Sequence, residues 1–136
     1  MNTKLNFKQT MKAAAFSALT AAIINAILFF IFKALGFFTD DVFIQPNQPL
    51  TIVPILFSSI LPTLIGGLLF FVLEKYTAKG FMIFSIISFA LLLFSFSSPF
   101  MQIPNITMAY GIALNVLHVV VAVALLYFIN KAIKNK

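Results

Sequence analysis

His118 is the only histidine in a chain of 136 residues that has no cysteine and only three acidic residues, Asp40, Asp41 and Glu74. Imidazole can relay a proton or ligate a metal. One histidine without cysteine or a carboxylate beside it cannot assemble the usual three- or four-ligand zinc site. Haem ligation would need a histidine from a second chain or a different axial ligand. The acids all fall in or next to polar stretches, so no paired carboxylates stand in an apolar setting for acid–base work. There is no G-x-S-x-G, no H-E-x-x-H and no phosphate-cradling glycine loop. An enzyme would have to pair His118 with a serine or threonine, which no spacing supports. No catalytic residues, no metal and no cofactor are therefore expected, and His118 reads first as a neutral, hydrogen-bonded structural side chain.

The setting of that histidine is set by composition. Hydrophobic residues make up 62% of the chain and charged residues 9%, against roughly 25% charged in soluble domains. Mean hydropathy is +1.08. Nine lysines, no arginine and three acids give a net charge of +6. Such a chain cannot build a water-facing surface, which excludes a soluble enzyme, a disulfide scaffold and a disordered basic tail. One domain over residues 1–136 is expected, with lipid as its solvent.

A spanning helix needs about 20 mostly apolar residues. Four stretches qualify, at about 13–35, 51–73, 81–98 and 106–129. Their apolar runs are unbroken, whereas barrel strands alternate every second residue. The intervening segments carry Asp40, Asp41, Pro46 and Pro49, then Glu74 to Gly80, then Pro99 and Pro104. Irregular backbone must leave the hydrocarbon because lipid cannot satisfy its hydrogen bonds, so these segments read as loops. The expected fold is an all-α membrane protein, an antiparallel four-transmembrane-helix bundle.

Lysine sets the orientation. Lys4, Lys8, Lys12, Lys75, Lys79, Lys131, Lys134 and Lys136 fall on one side if four helices alternate, leaving Lys33 alone on the other. The positive-inside rule makes that side, with both termini, cytoplasmic, in a bacterial inner membrane. Lys33 ends the first span, where its stem can reach the headgroups. The lysines and alanines at the N-terminus resemble a signal peptide, but the apolar run continues through Phe38, and an uncleaved first helix is expected. Basic ends without a recognition module argue against nucleic acid; topology and anionic lipid account for them.

Small and polar residues recur at helical spacing: Ala14, Ala18, Ala21 and Asn25; Ser59, Thr63 and Gly66; Ser85, Ser88 and Ser95; Gly111, Asn115, His118 and Ala122. Each set forms one stripe on its helix. Lipid supplies no hydrophobic drive for pairing, so such stripes should form the seams. Counting depth from the charged boundaries puts Asn25, Ser59, Thr63, Asn115 and His118 near mid-membrane, where they could meet as one polar cluster. That cluster would be structural glue or a pocket for a ligand or proton. Pro62 and Pro54 read as kinks adapted to packing, although helix breaks mark binding sites in some transporters. Gly66-Gly67 would admit a neighbouring helix. Asp40 and Asp41 read as solvated loop charge. Phe37, Phe38 and Phe43, with Tyr76, Tyr110 and Tyr127, read as interfacial anchors.

The lysine-rich start, the Asn25-bearing first helix and the Gln48-Pro49-Leu50 lead into a helix with Ser59 and Pro62 form a pattern. Pro99 after the third span and Leu117-His118 in the fourth continue it. In these features nearly the whole chain resembles a bacterial family of small four-span integral membrane proteins of unknown function. The resemblance implies the four-span fold and transfers no functional residues. Two functions are expected to compete. One is an accessory or self-associating membrane component working through helix contacts, alone or with another membrane-protein subunit. The other is a small oligomeric transporter or channel built around His118.

Overall fold

The computed structural model describes residues 4–45 and 47–135; Pro46 and Lys136 lie outside them. Four helices dominate: α1 (Phe7–Ala34), α2 (Ile52–Tyr76), α3 (Gly80–Gln102) and α4 (Met108–Lys134). All four are long and apolar enough to cross a membrane. A two-stranded antiparallel hairpin, β1 (Phe43–Gln45) and β2 (Gln48–Pro49), stands between α1 and α2.

The helices overrun the hydrophobic stretches, because hydropathy marks where lipid begins while the backbone ladder continues into the headgroups. α1 starts at Phe7, closed by a capping box: the Gln9 N–H donates to Asn6 Oδ1 at 2.8 Å and the Asn6 N–H to Gln9 Oε1 at 3.0 Å. α3 runs through Pro99, which the sequence places in a loop, and ends at Gln102. Proline forfeits one backbone donor without unwinding the turn that follows, and the Ile103 N–H still reaches the Pro99 carbonyl at 3.1 Å. The α2–α3 connection shrinks to Thr77–Lys79. There a Cβ on Gly80 would stand 2.6 Å from Glu74 Cα, so the hairpin closes only around glycine.

The helices stand in a ring in chain order. α1 lies against α2 and α4, α3 lies against α2 and α4, and α2 touches α4 across the ring. α1 is the best buried of them, and α3 buries only Gly80, Phe84 and Pro99. The start of α1 and the end of α4 lie at one end of the bundle. Leu5 shares a core with Phe70, Phe84, Leu125 and Ile129 there, and Lys4 Nζ donates to the Thr77 carbonyl at 2.9 Å.

The opposite end is closed by the α1–α2 connection. Phe38, Val42 and Leu50 turn inward onto Phe29, Ile55, Tyr110, Ala113 and Leu117. This corrects two of the expected interfacial anchors: Phe38 is 4% exposed and Tyr110 fully buried. The connection folds back over the helix ends, so aromatics near a span boundary find protein rather than headgroups. Tyr76 and Tyr127 do remain exposed. Lys33 extends to Asp40 at 3.9 Å, with both side chains solvated.

Candidate functional site: two polar seams

The small-residue stripe of α1 faces Ser59 and Gly67 of α2, whereas Gly66, expected in that stripe, turns toward Leu125 of α4. A Cβ on Gly67 would fall 2.6 Å from Ala14 Cβ, so the two backbones nearly touch. About three turns farther along α1, the same approach brings Asn25 within reach of its partners. Asn25 Nδ2 donates to Ser59 Oγ at 2.8 Å and to the Leu117 carbonyl at 3.3 Å, joining α1, α2 and α4 through one amide. A carbonyl can only accept, so the amide nitrogen must be the atom that faces Leu117. Ser59 passes its own proton to the Ile55 carbonyl at 2.8 Å, and Thr63 Oγ1 donates to the Ser59 carbonyl at 2.7 Å. Both hydroxyl protons are thus committed to backbone one turn back, a common use of serine and threonine in apolar helices. Asn25 Oδ1 has no partner.

Asn115 and His118 sit on a different face. The stripe of α4 that contains them turns toward α3, whereas α4 meets α1 through Tyr110, Ala113 and Leu117. Asn115 Nδ2 donates to the Phe96 carbonyl at 3.0 Å, three residues before Pro99. Gly111 lies beneath the Phe100 ring, which a Cβ there would strike. His118 borders a cleft of about 300 Å³ between α2, α3 and α4, together with Ser58, Ser88 and Ser95, and its Nδ1 makes no hydrogen bond. Pro62 lines this cleft as well, and Pro99 lies one turn beyond its lining residue Ser95. Each lacks the N–H that would engage the carbonyl four residues earlier, and those residues are Ser58 and Ser95.

The five residues expected to meet therefore divide. Asn25, Ser59 and Thr63 come together in the α1–α2–α4 seam, while Asn115 and His118 belong to the α3–α4 side. Depth alone placed them at one level; helix rotation, which a stripe does not reveal, separated them. Ser88 and Ser95 were legible as a stripe on α3 but not as neighbours of His118. Among the described residues no three metal-ligating side chains cluster.

Asn25→Leu is expected to cost about 0.6–1.7 kcal/mol, the range for interhelical hydrogen bonds in lipid. Ser59 keeps its bond to Ile55, so only the amide's contacts are lost. Reversible unfolding in mixed detergent micelles measures this. A loss of several kcal/mol would mean that the amide does more than join helices.

Four membrane-length helices around two polar seams define a multi-pass integral membrane protein with a four-helix bundle fold. The chain belongs to the family of unknown function DUF6069, which it matches over residues 6–135. No curated protein and no solved structure matches it.

Proposed function

We propose that this protein is a small component of a bacterial cytoplasmic membrane, with both termini cytoplasmic, that acts through helix–helix contacts as an accessory or self-associating subunit and performs no catalysis. The observation that supports this most is the state of α3. Only 11% of its most apolar stretch is buried, against 33% for α1, and it touches α1 nowhere. It is held at its two ends, by Phe84 and by the Phe100–Gly111 contact, with the cleft between them. A helix so lightly engaged leaves most of its surface for lipid or for another helix. The lysine distribution supports the orientation.

A second reading, an oligomeric transporter or channel, is favoured by one specific feature. The cleft brings His118, three serines and two proline-freed carbonyl positions together within the membrane-spanning part of the bundle.

Purification in mild detergent followed by reconstitution into proteoliposomes separates the two. The first reading expects an assembly of fixed stoichiometry and no ion or solute flux above protein-free vesicles. It also expects His118→Leu to leave helical content and melting unchanged while altering assembly. Flux that His118→Leu abolishes would replace the first reading with the second. Wild-type assembly and flux in that variant would remove any functional role for His118.

A further inference from the structure

A second cavity lies away from the histidine, at the lysine-rich end between the start of α1 and the finish of α4, with a volume of about 410 Å³, within the range of about 300–1,000 Å³ usual for ligand pockets. Each helix contributes one stripe: Gln9, Lys12, Ala13 and Phe16 from α1, and Phe128, Lys131 and Ala132 from α4 with its C-cap Asn135; the buried Leu5, just before α1, also lines the groove. Both run i, i+3, i+4, i+7, one face of a helix.

The helices are antiparallel, so the two stripes meet in matched layers. Gln9 and Asn135 hold the outer rim, carrying amide donors. One turn inward, Lys12 and Lys131 bring an ammonium from each wall. Ala13 and Ala132 share this layer, each beside the lysine of its own helix and across from the lysine of the other, and their small side chains open the gap. Phe16 and Phe128 lie deepest, stacked with centroids 6.4 Å apart and planes 17° from parallel. From Gln9 to Phe16 the rise is about 10 Å, enough to cross from the headgroup region into the acyl region. No carboxylate lines the groove, and neither lysine has an acidic partner among the described residues.

The order amide, then cation beside small residue, then aromatic ring follows the order of groups in a phospholipid read from water inward. We propose that this groove binds one anionic phospholipid, its phosphate held between Lys12 and Lys131 and an acyl chain laid against Phe16 and Phe128. The polarity gradient favours a lipid over free phosphate, since a soluble anion would leave the aromatic floor unused. The two ammonium groups favour an anionic headgroup over a zwitterionic one. Lys4 takes no part, its ammonium being engaged by the Thr77 carbonyl.

The test uses the full chain in bilayers of equal parts phosphatidylglycerol and phosphatidylcholine, with lipid retained on gentle extraction counted by native mass spectrometry. The expected result is one phosphatidylglycerol per chain, kept in preference to phosphatidylcholine. The double variant Lys12→Gln/Lys131→Gln should lower that preference by about tenfold or more. Lys75→Gln/Lys79→Gln, which removes the same charge from the same end outside the groove, should not change it. Ala132→Leu, which fills the gap and spares both lysines, should also lose the lipid. Equal losses from the two lysine pairs would reduce the effect to diffuse surface charge and overturn the proposal. Full retention by Ala132→Leu, or displacement of the lipid by inorganic phosphate alone, would overturn it too.

Discussion

Gly67→Leu is expected to force α1 away from α2 and to destabilise the bundle by about 3 kcal/mol or more. The obstacle is not a flexible side chain. A Cβ at this position already meets Ala14 Cβ at 2.6 Å, and Ala14 is fully buried. Only backbone movement could relieve the clash. That movement would also stretch the Asn25–Ser59 hydrogen bond, which depends on the same approach of the two helices. In lipid nothing compensates, because separated apolar faces are solvated by acyl chains as readily as by each other. Gly66→Ala provides the comparison at the adjacent residue. Its new methyl would meet Leu125 Cδ2, the free end of a side chain that can rotate. The better helix propensity of alanine, about 1 kcal/mol, offsets part of that cost. Unfolding in mixed micelles should show a large loss for the first variant and a change within about 1 kcal/mol for the second. Equal effects would mean that the α1–α2 contact is not the tight point of the bundle.

Phe38→Ala is expected to cost about 3–5 kcal/mol, the range for removing a buried phenyl ring. Phe38 stacks on Phe29 at 5.7 Å and presents an edge-on contact to Tyr110 at 4.9 Å and to Phe32 at 5.8 Å. It closes the end of the bundle opposite the start of α1 and the end of α4, where Lys33 and Asp40 are solvated. Water competes there, so burial of the ring contributes a true hydrophobic term that mid-membrane contacts lack. Phe37 and Phe43, on the same connection, are 36% and 44% exposed, and alanine at either should cost under about 1 kcal/mol. Hydrogen exchange should locate the damage in Phe38→Ala at the ends of α1 and α4 beneath the connection. Uniform loosening of the whole bundle, or no difference from Phe37→Ala, would show that the connection does not seal that end.

The two variants probe different forces. Gly67 tests close packing where lipid surrounds the protein, and Phe38 tests apolar burial where water does. The two seams divide along similar lines. Asn25 closes the tight three-helix part, while Asn115 and His118 border the looser side, where α3 stands off and the cleft opens.

What the amino-acid sequence determined by itself was the solvent, the number of crossings and the shared side of every lysine but Lys33. Each is a sum over one segment: transfer free energy over about 20 residues, or charge over a loop, with no need to know what lies opposite. The stripes on each helix were legible for the same reason, since a face is a property of one helix. Which stripes meet was decided only by tertiary structure. Every helix here is apolar over most of its surface and carries a stripe of small and polar residues, so hydropathy does not distinguish their order, and steric fit chooses it: Gly67 on Ala14, Gly111 under Phe100. That choice turned His118 away from Asn25. It also drew Phe38 and Tyr110 inward, because the fold of an interfacial connection depends on the gap that the finished bundle leaves open.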